Sequence, residues 1–485
     1  MNVRTRFAPS PTGYLHLGNL RSALYAYLFA KNQGGEMVLR IEDTDRERYV
    51  EGAMESLIRI LQTFGINYDE GVFFEENKVV QRGDFGPYIQ SERSELYQKY
   101  VQQLLEQGHA YKCFCSKERL DETRKQQQLA KMPTKYDRHC CGLSDDEVHS
   151  KVATGESFVV RMKIPEGKTT FKDVIRGVIT IDNSEVDDQV LMKSDGFPTY
   201  HLAVVVDDHL MQISHIIRAE EWISSTPKHV LLYQMFDWDL PVFAHLPMVL
   251  NPDKSKLSKR QGDVAAEDYL AKGYLPEALL NFMALLGYNP KGDQEIYDIE
   301  ELIKLFDLAK VNSSGAVFNV EKLDWMNGHY IREKSVDELV KLVQPFLNQE
   351  IDIDLLKKII VIEQERLTRL DQIKEIIEMY IENPEYDPEM LIWKKADQED
   401  AKQNLSAVIE LIESIGEGDF DSVELVEKAI KGYIDIKGLQ NGNVLWPIRV
   451  ALSGRKASPG PFELAWALGR EETLKRLTQA RNKLA

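Results

Sequence analysis

The first forty-five residues constrain this chain more than any other stretch. Val3-Arg4-Thr5-Arg6-Phe7 carries strand-forming residues, and Pro9-Ser10-Pro11-Thr12-Gly13 then breaks the run. Leu20, Ala23, Leu24, Tyr27 and Leu28 recur at helical spacing up to Gly34-Gly35. Met37, Val38, Leu39 and Ile41 follow as a second apolar run. Strand, loop, helix and strand in this order make a right-handed crossover between parallel strands. The expected class is therefore α/β, with a parallel, Rossmann-like sheet. His16 and Gly18 stand where the loop becomes the helix. The unpaired N–H groups and the positive dipole end found there favour a phosphate, and glycine lets a ligand approach the backbone closely. A histidine in this place also has a plainer reading, as a helix-start residue satisfied by solvent.

At 485 residues the chain is long enough for several domains, and 43% apolar residues suffice for ordinary cores. A net charge of -18 argues against a nucleic-acid partner, although binding depends on local patches rather than on the sum. The first ten residues include Arg4 and Arg6 and lack the apolar core of a signal peptide, and no run is apolar enough to span a membrane. Four cysteines in such a chain point to a reducing, cytoplasmic setting.

Further along, Met54, Leu57, Ile58 and Leu61 share a helical face within residues 46–90, which then read as loop. Residues 96–105 form another amphipathic helix. Cys113-Phe114-Cys115 is followed by Tyr136-Asp137-Arg138-His139-Cys140-Cys141. Such a set can supply four zinc ligands, since thiolates suit zinc in a reducing compartment; the alternative is ordinary thiols without metal. Residues 151–194 read as β-rich, with strands at 157–162, 174–181 and 190–192, forming an insertion between two halves of the sheet. Val204-Val205-Val206 reads as a buried strand ended by Asp207-Asp208-His209, and the next strand begins at His215. Arg218-Ala219-Glu220-Glu221-Trp222 then falls at a strand's carboxyl end, where open α/β sheets bind ligands. Asn251-Pro252-Asp253 is a turn, so the basic run from Lys254 to Arg260 lies on a loop. From Glu333 onward the pattern is helix after helix, at 336–346, 355–363, 373–380 and 405–415.

His16-Leu17-Gly18-Asn19 resembles the HIGH signature, and Lys256-Leu257-Ser258-Lys259-Arg260 the KMSKS signature, of class I aminoacyl-tRNA synthetases. The string from Arg6 to Gly18, with Arg40-Ile41-Glu42-Asp43-Thr44-Asp45 and Gly86-Pro87-Tyr88-Ile89-Gln90-Ser91-Glu92-Arg93, is similar to the glutamyl/glutaminyl branch. Either marker alone is weak; together, in order, they are specific. The helical tail matches bacterial glutamyl members, because glutaminyl members typically carry β-barrels there. A shortened paralogue would lack this tail, and a plain nucleotidylyltransferase would not need it. A non-catalytic tRNA-binding relative would not need His16, Lys256 and Lys259.

The resemblance implies ATP with Mg2+, L-glutamate and tRNA(Glu) as partners, and a monomer. It implies His16, Lys256 and Lys259 as catalytic residues, and Ser10, His16, Gly18, Glu221 and Lys259 around ATP. Arg6, Ser10, Glu42, Tyr200, Arg218 and Trp222 would bind glutamate, with Glu42 taking the ammonium group and the arginine forks the carboxylates. For Arg6 and Glu42 the plainer reading is an ion pair at a strand edge, worth little. Some members have asparagine where this chain has Val204, so one polar contact is missing or replaced. Asp45 and Arg48 would lie near the tRNA end, and Arg366 near the anticodon. Members with zinc use Cys-x-Cys followed by Cys-x-His or Tyr-x-x-x-Cys. Here that implies Cys113, Cys115, Tyr136 and Cys140, with His139 and Cys141 as alternative ligands. The implied organisation is a catalytic domain in two halves, 1–95 and 195–255, around an acceptor-binding insertion, 96–194. A stem-contact domain, 256–333, and an all-helical anticodon-binding region, 334–485, complete it.

Overall fold

The computed structural model describes residues 2–45, 48, 50–257, 264–290, 292–394 and 396–484. They fall into two compact units, residues 1–270 with 276–320, and residues 271–275 with 321–485.

In the first unit β1 (Arg4–Phe7), β2 (Glu36–Leu39), β3 (Glu70–Glu75) and β4 (Lys78–Arg82) form one sheet in that order. β1, β2 and β3 run parallel, and β4 returns antiparallel. α1 (Leu17–Asn32) makes the expected crossover, and α2 (Ala53–Thr63) follows β2. The β3–β4 hairpin occupies residues that read as loop, because Gly71 and the charged ends of Glu70-Gly71-Val72-Phe73-Phe74-Glu75 mask the alternation.

After α3 (Ser94–Glu106) come β5 (Ala110–Cys113), α4 (Lys117–Leu129), α5 (Asp145–Ala153), β6 (Val159–Met162), β7 (Lys168–Asp173), β8 (Gly177–Asp182) and β9 (Val190–Met192). β5, β6 and β9 make a small antiparallel sheet. The β7–β8 hairpin does not belong to it. β7 pairs parallel with β11 (Val242–Leu246), which pairs with β10 (His215–Ala219). The expected insertion is thus interrupted by a hairpin that joins the sheet of β10 and β11. β10 starts beside β1, where Ser214 N–H donates to Arg4 O at 2.9 Å.

Val204-Val205-Val206 is not a strand. It lies inside α6 (Tyr200–Leu210), clustered with Leu202 of the same helix and with Leu231, Leu232 and Phe236, which lie in or just beyond α7 (Thr226–Met235). A helix buried on nearly all sides is apolar all round, so its short runs carry no period that separates helix from strand.

The second unit contains no strand among the described residues. Its longest unbroken helices are Gln398–Ser414 and Val423–Lys437, and the stretch Pro461–Lys483 is two helices joined across a kink at Gly469. The helix Val320–Glu333, expected with the stem-contact segment, is tied into this unit at Asn327, which donates to Thr368 O at 2.6 Å and accepts from Leu275 N at 2.8 Å. No helix among the described residues is long and apolar enough to cross a membrane.

Candidate active site

A cavity of about 840 Å3 opens beyond the carboxyl ends of β1 and β10. Its lining includes Arg6, Ser10, Glu42, Tyr200, Arg218 and Trp222, the whole set expected to hold glutamate. Glu221, Asp45 and Arg48 also line it, as do Asn19, Ser22 and Lys193, which the sequence did not single out.

Beneath the cavity lies a buried charge network. Arg6 Nε donates to Asp208 Oδ1 at 3.1 Å, and Arg40 reaches the same oxygen at 2.8 Å. Arg40 also donates to Glu42 Oε1 at 3.0 Å. Next to it Asp207 accepts from Arg93 at 2.7 Å, Gln90 at 2.9 Å and Tyr97 at 2.8 Å. Taking such charges out of water is costly unless each has partners, and here they have them. Burial pushes the Asp208 carboxyl up, but Arg6 and Arg40 outweigh it and hold it below its ordinary value. Glu42 has fewer partners, and burial pushes its carboxyl up to about 7 against the pull of Arg40 and Arg6. The network accounts for Asp207-Asp208, read from sequence as the end of a strand. Arg6 is thereby held at Nε alone; its Nη groups have no hydrogen bond among the described residues, and their fork is available to a carboxylate.

Arg218 is held differently. Nε donates to His245 Nε2 at 3.1 Å, Nη2 to Thr226 Oγ1 at 2.9 Å, and Nη1 lies 3.3 Å from His229 Nδ1 and 3.4 Å from Tyr200 Oη. All four partners are uncharged. Burial pushes the His229 imidazole well below its ordinary range and that of His201, 3.0 Å away, down to about 3, with Arg218 and Lys228 adding to the effect. The Arg218 guanidinium is thus buried with no carboxylate bonded to it among the described residues. The two-point grip expected of both arginines is open at Arg6, whereas most of the Arg218 fork is committed. Tyr200 packs on Trp222 with ring centroids 4.5 Å apart, closing one wall. Val204, one turn beyond Tyr200, faces the core and does not line the cavity.

The first signature loop reaches the cavity only through the helix turn that follows it, and Lys256 of the second only through its partner Glu221. His16 caps α1, its Nδ1 accepting from Gly18 N–H at 3.0 Å. That bond leaves the proton of a neutral imidazole on Nε2, as a donor. His16 and Gly18 are not in the cavity lining; Asn19 and Ser22, on the following turn, are. The loop is fixed by the chain that leaves the basic loop, through Leu17 N to Val264 O at 2.8 Å and Ala266 N to Leu15 O at 2.9 Å. Lys256 Nζ pairs with Glu221 Oε2 at 2.7 Å. Lys259 lies outside the described residues. Asp45 and Arg48 pair with each other at 2.6 Å on the cavity wall. Arg366 is in the second unit, donating to Ile362 O at 2.9 Å, with its side chain half exposed.

Cys113, Cys115 and Cys140 bring their sulfurs within 4.8 Å of one another. Tyr136 Oη lies 3.3 Å from both Cys113 Sγ and Cys115 Sγ. The Tyr136-x-x-x-Cys140 spacing folds back so that Cys140 N–H donates to that oxygen at 2.9 Å. Three sulfurs and one phenol oxygen around a common centre are a donor set suited to zinc. Cys141 and His139 are not part of this cluster.

The profile of the catalytic domain of class I tRNA synthetases (E and Q) matches residues 2–325, and that of an anticodon binding domain matches residues 338–481. The chain belongs to this class I tRNA synthetase family. Among its relatives, the glutamate–tRNA ligase of Clostridium botulinum is 46% identical over 487 residues, covering 99% of this chain and 98% of the relative. That of Clostridium acetobutylicum is 47% identical over 482 residues, covering 98% and 97%. A glutamate–tRNA ligase from Elizabethkingia meningosepticum, crystallised in complex with its amino acid, superposes with a TM-score of 0.89 at 36% identity over the whole of both chains.

Proposed function

We propose that the protein is a glutamate–tRNA ligase that uses ATP to attach L-glutamate to tRNA(Glu). The observation that carries the reading is the charge pattern of one cavity. Two buried guanidiniums, Arg6 and Arg218, face it together with one buried carboxylate, Glu42, while Asp45, Asp195 and Glu221 line its more exposed parts, and the buried set complements a ligand with two carboxylates and one ammonium. Glutamine has one carboxylate fewer and would leave a buried cation unpaired. The full-length relatives named as glutamate–tRNA ligases support the same substrate.

In the first step a glutamate carboxylate oxygen attacks the α-phosphorus of ATP, forming the mixed anhydride as pyrophosphate leaves. In the second a ribose hydroxyl of the terminal adenosine attacks the anhydride carbonyl, forming the ester as AMP leaves. Neither step needs an enzyme nucleophile. Positioning and charge stabilisation suffice. His16, with its proton on Nε2, donates to phosphate oxygens, while Ser10 and Gly18 contact the nucleotide beside Glu221. Lys259 stabilises the developing negative charge. Lys256 joins it by exchanging its Glu221 partner for phosphate. Bound with ATP, Mg2+ would screen the phosphate charges, as it commonly does in phosphoryl transfer. Cys113, Cys115, Tyr136 and Cys140 would hold zinc as a structural ion, remote from these steps.

Asp45 and Arg48 meet the tRNA end at the mouth of the cavity. The insertion within 96–194 supports the acceptor, the segment within 256–333 the stem, and the helical region from 334 the anticodon, with Arg366 as a contact. The enzyme acts as a monomer in the cytoplasm. Charging of tRNA(Glu) with labelled glutamate or glutamine tests the reading. Glutamate should be esterified and glutamine should not; the reverse preference refutes it.

A further inference from the structure

Among the described residues no carboxylate is bonded to Arg218, and neutral side chains aim it instead. His245, on β11, is fully buried, and its Nε2 faces Arg218 Nε at 3.1 Å. The guanidinium Nε can only donate, so His245 Nε2 must be unprotonated. Its proton therefore sits on Nδ1, which points at Asp173 Oδ2 at 2.6 Å. Asp173, 1% exposed at the end of β7, also accepts His245 N–H at 3.0 Å on Oδ2, and Ile175 and Arg176 N–H on Oδ1 at 2.9 and 3.0 Å. Burial alone would raise the Asp173 carboxyl, but these hydrogen bonds outweigh it and keep the group ionised. Burial likewise keeps His245 neutral, against the pull of Asp173.

We infer that Asp173 and His245 are positioning residues for the reaction: Asp173 fixes the His245 tautomer that accepts from Arg218, and so aims the Arg218 charge at the substrate carboxylate. This rests on the reading of Arg218 as a glutamate ligand. It explains why the β7–β8 hairpin is spliced into the sheet of β10 and β11, since β7 carries Asp173 to the register of Phe243, two residues from His245. An ionised partner bonded directly to Arg218 would compete with the substrate for its charge. A neutral imidazole oriented from behind does not.

Asp173→Asn reverses the relay. Two of the three backbone N–H groups keep the amide oxygen at Oδ1, so its NH2 faces His245, opposing that residue's backbone N–H as well as its Nδ1. The imidazole then moves its proton to Nε2, which opposes Arg218 Nε–H, donor against donor. His245→Gln instead places a carbonyl oxygen where Nε2 stood, accepting from Arg218 without any tautomer to set. His245→Phe removes the acceptor. Kinetics of pyrophosphate exchange in the presence of tRNA, with glutamate and ATP varied separately, test the inference alongside thermal midpoints. Asp173→Asn and His245→Phe should each raise KM for glutamate about tenfold, the weight of one hydrogen bond to a charged group, and leave KM for ATP within about twofold. His245→Gln should stay near wild type, and adding Asp173→Asn to it should change little.

Equal effects of Asp173→Asn in both backgrounds, or equal rises in KM for ATP, would assign a merely structural role and overturn the inference. Should Asp173→Asn fold too poorly to assay, equal KM values for His245→Phe and His245→Gln would overturn it. Wild-type exchange with glutamate and unaltered kinetics in the variants would overturn this inference alone. Wild-type exchange driven only by glutamine would overturn the glutamate reading on which it rests.

Discussion

Glutamate binding should depend on pH through Glu42. Its carboxyl, pushed up to about 7 by burial, lines the cavity, and the proposed function makes it the counter-ion for the substrate ammonium. Glutamate's own groups keep their charges between about pH 6 and pH 8, so the titration belongs to the enzyme. Only the ionised carboxylate attracts the ammonium, and KM should scale as one plus the ratio of protonated to ionised Glu42. That factor is about 11 at pH 6 and about 1.1 at pH 8, a tenfold fall in KM across the range. Glu42→Gln should remove the pH dependence and fix KM about ten- to a hundredfold above the pH 8 value, the weight of one charge-assisted hydrogen bond. Arg40 stays anchored in that variant, through Asp208 at 2.8 Å. The sign for stability is opposite. A raised folded-state value stabilises fully below the unfolded value of 4.5, and that contribution is lost as pH rises through about 7. Initial rates at varied glutamate, from pH 6 to pH 8 at saturating ATP, give the profile. A flat wild-type KM, or a Glu42→Gln variant that retains the slope, would refute the reasoning.

Three further outcomes are expected. Asp208→Asn removes the carboxylate shared by buried Arg6 and Arg40, and should lower unfolding stability by about 3–5 kcal/mol in denaturant titration, the cost of stranding a buried charge; a loss below 1 kcal/mol would contradict the network. Lys259→Ala should slow glutamate activation about a hundredfold while filter-binding shows unchanged tRNA affinity; an unchanged rate removes it from the site. Metal analysis of the purified chain should find one zinc per molecule, lost in Cys115→Ala, and absence of stoichiometric zinc would leave the cluster as structural thiols.

Much of the site was legible because its parts sit in continuous strings. The parallel crossover from β1 through α1 to β2 followed from helical spacing between two short apolar runs, and Arg6, Ser10 and Glu42 flank it. Arg218 to Trp222 was legible as the carboxyl end of a strand. Tyr136-x-x-x-Cys140 was legible as a pair, and the choice against His139 and Cys141 came from the turn that folds Tyr136 over the sulfurs. What failed to show depends on burial or on distant pairing. α6 is wrapped in apolar neighbours, so its valines look like a strand and its two aspartates like a solvent-facing end. Asp207-Asp208 beside three valines was nonetheless a signal, since adjacent acids in an apolar run require buried cations. Asp173, His229 and His245 carry no local mark: the strand register that brings Asp173 to His245 spans 72 residues.

The most direct test of the account is ATP–pyrophosphate exchange by the purified protein, with glutamate or glutamine as substrate and with or without tRNA(Glu). The account expects exchange with glutamate, dependent on tRNA as in the glutamyl members that the sequence resembles, and none with glutamine. Exchange driven by glutamine alone would contradict it.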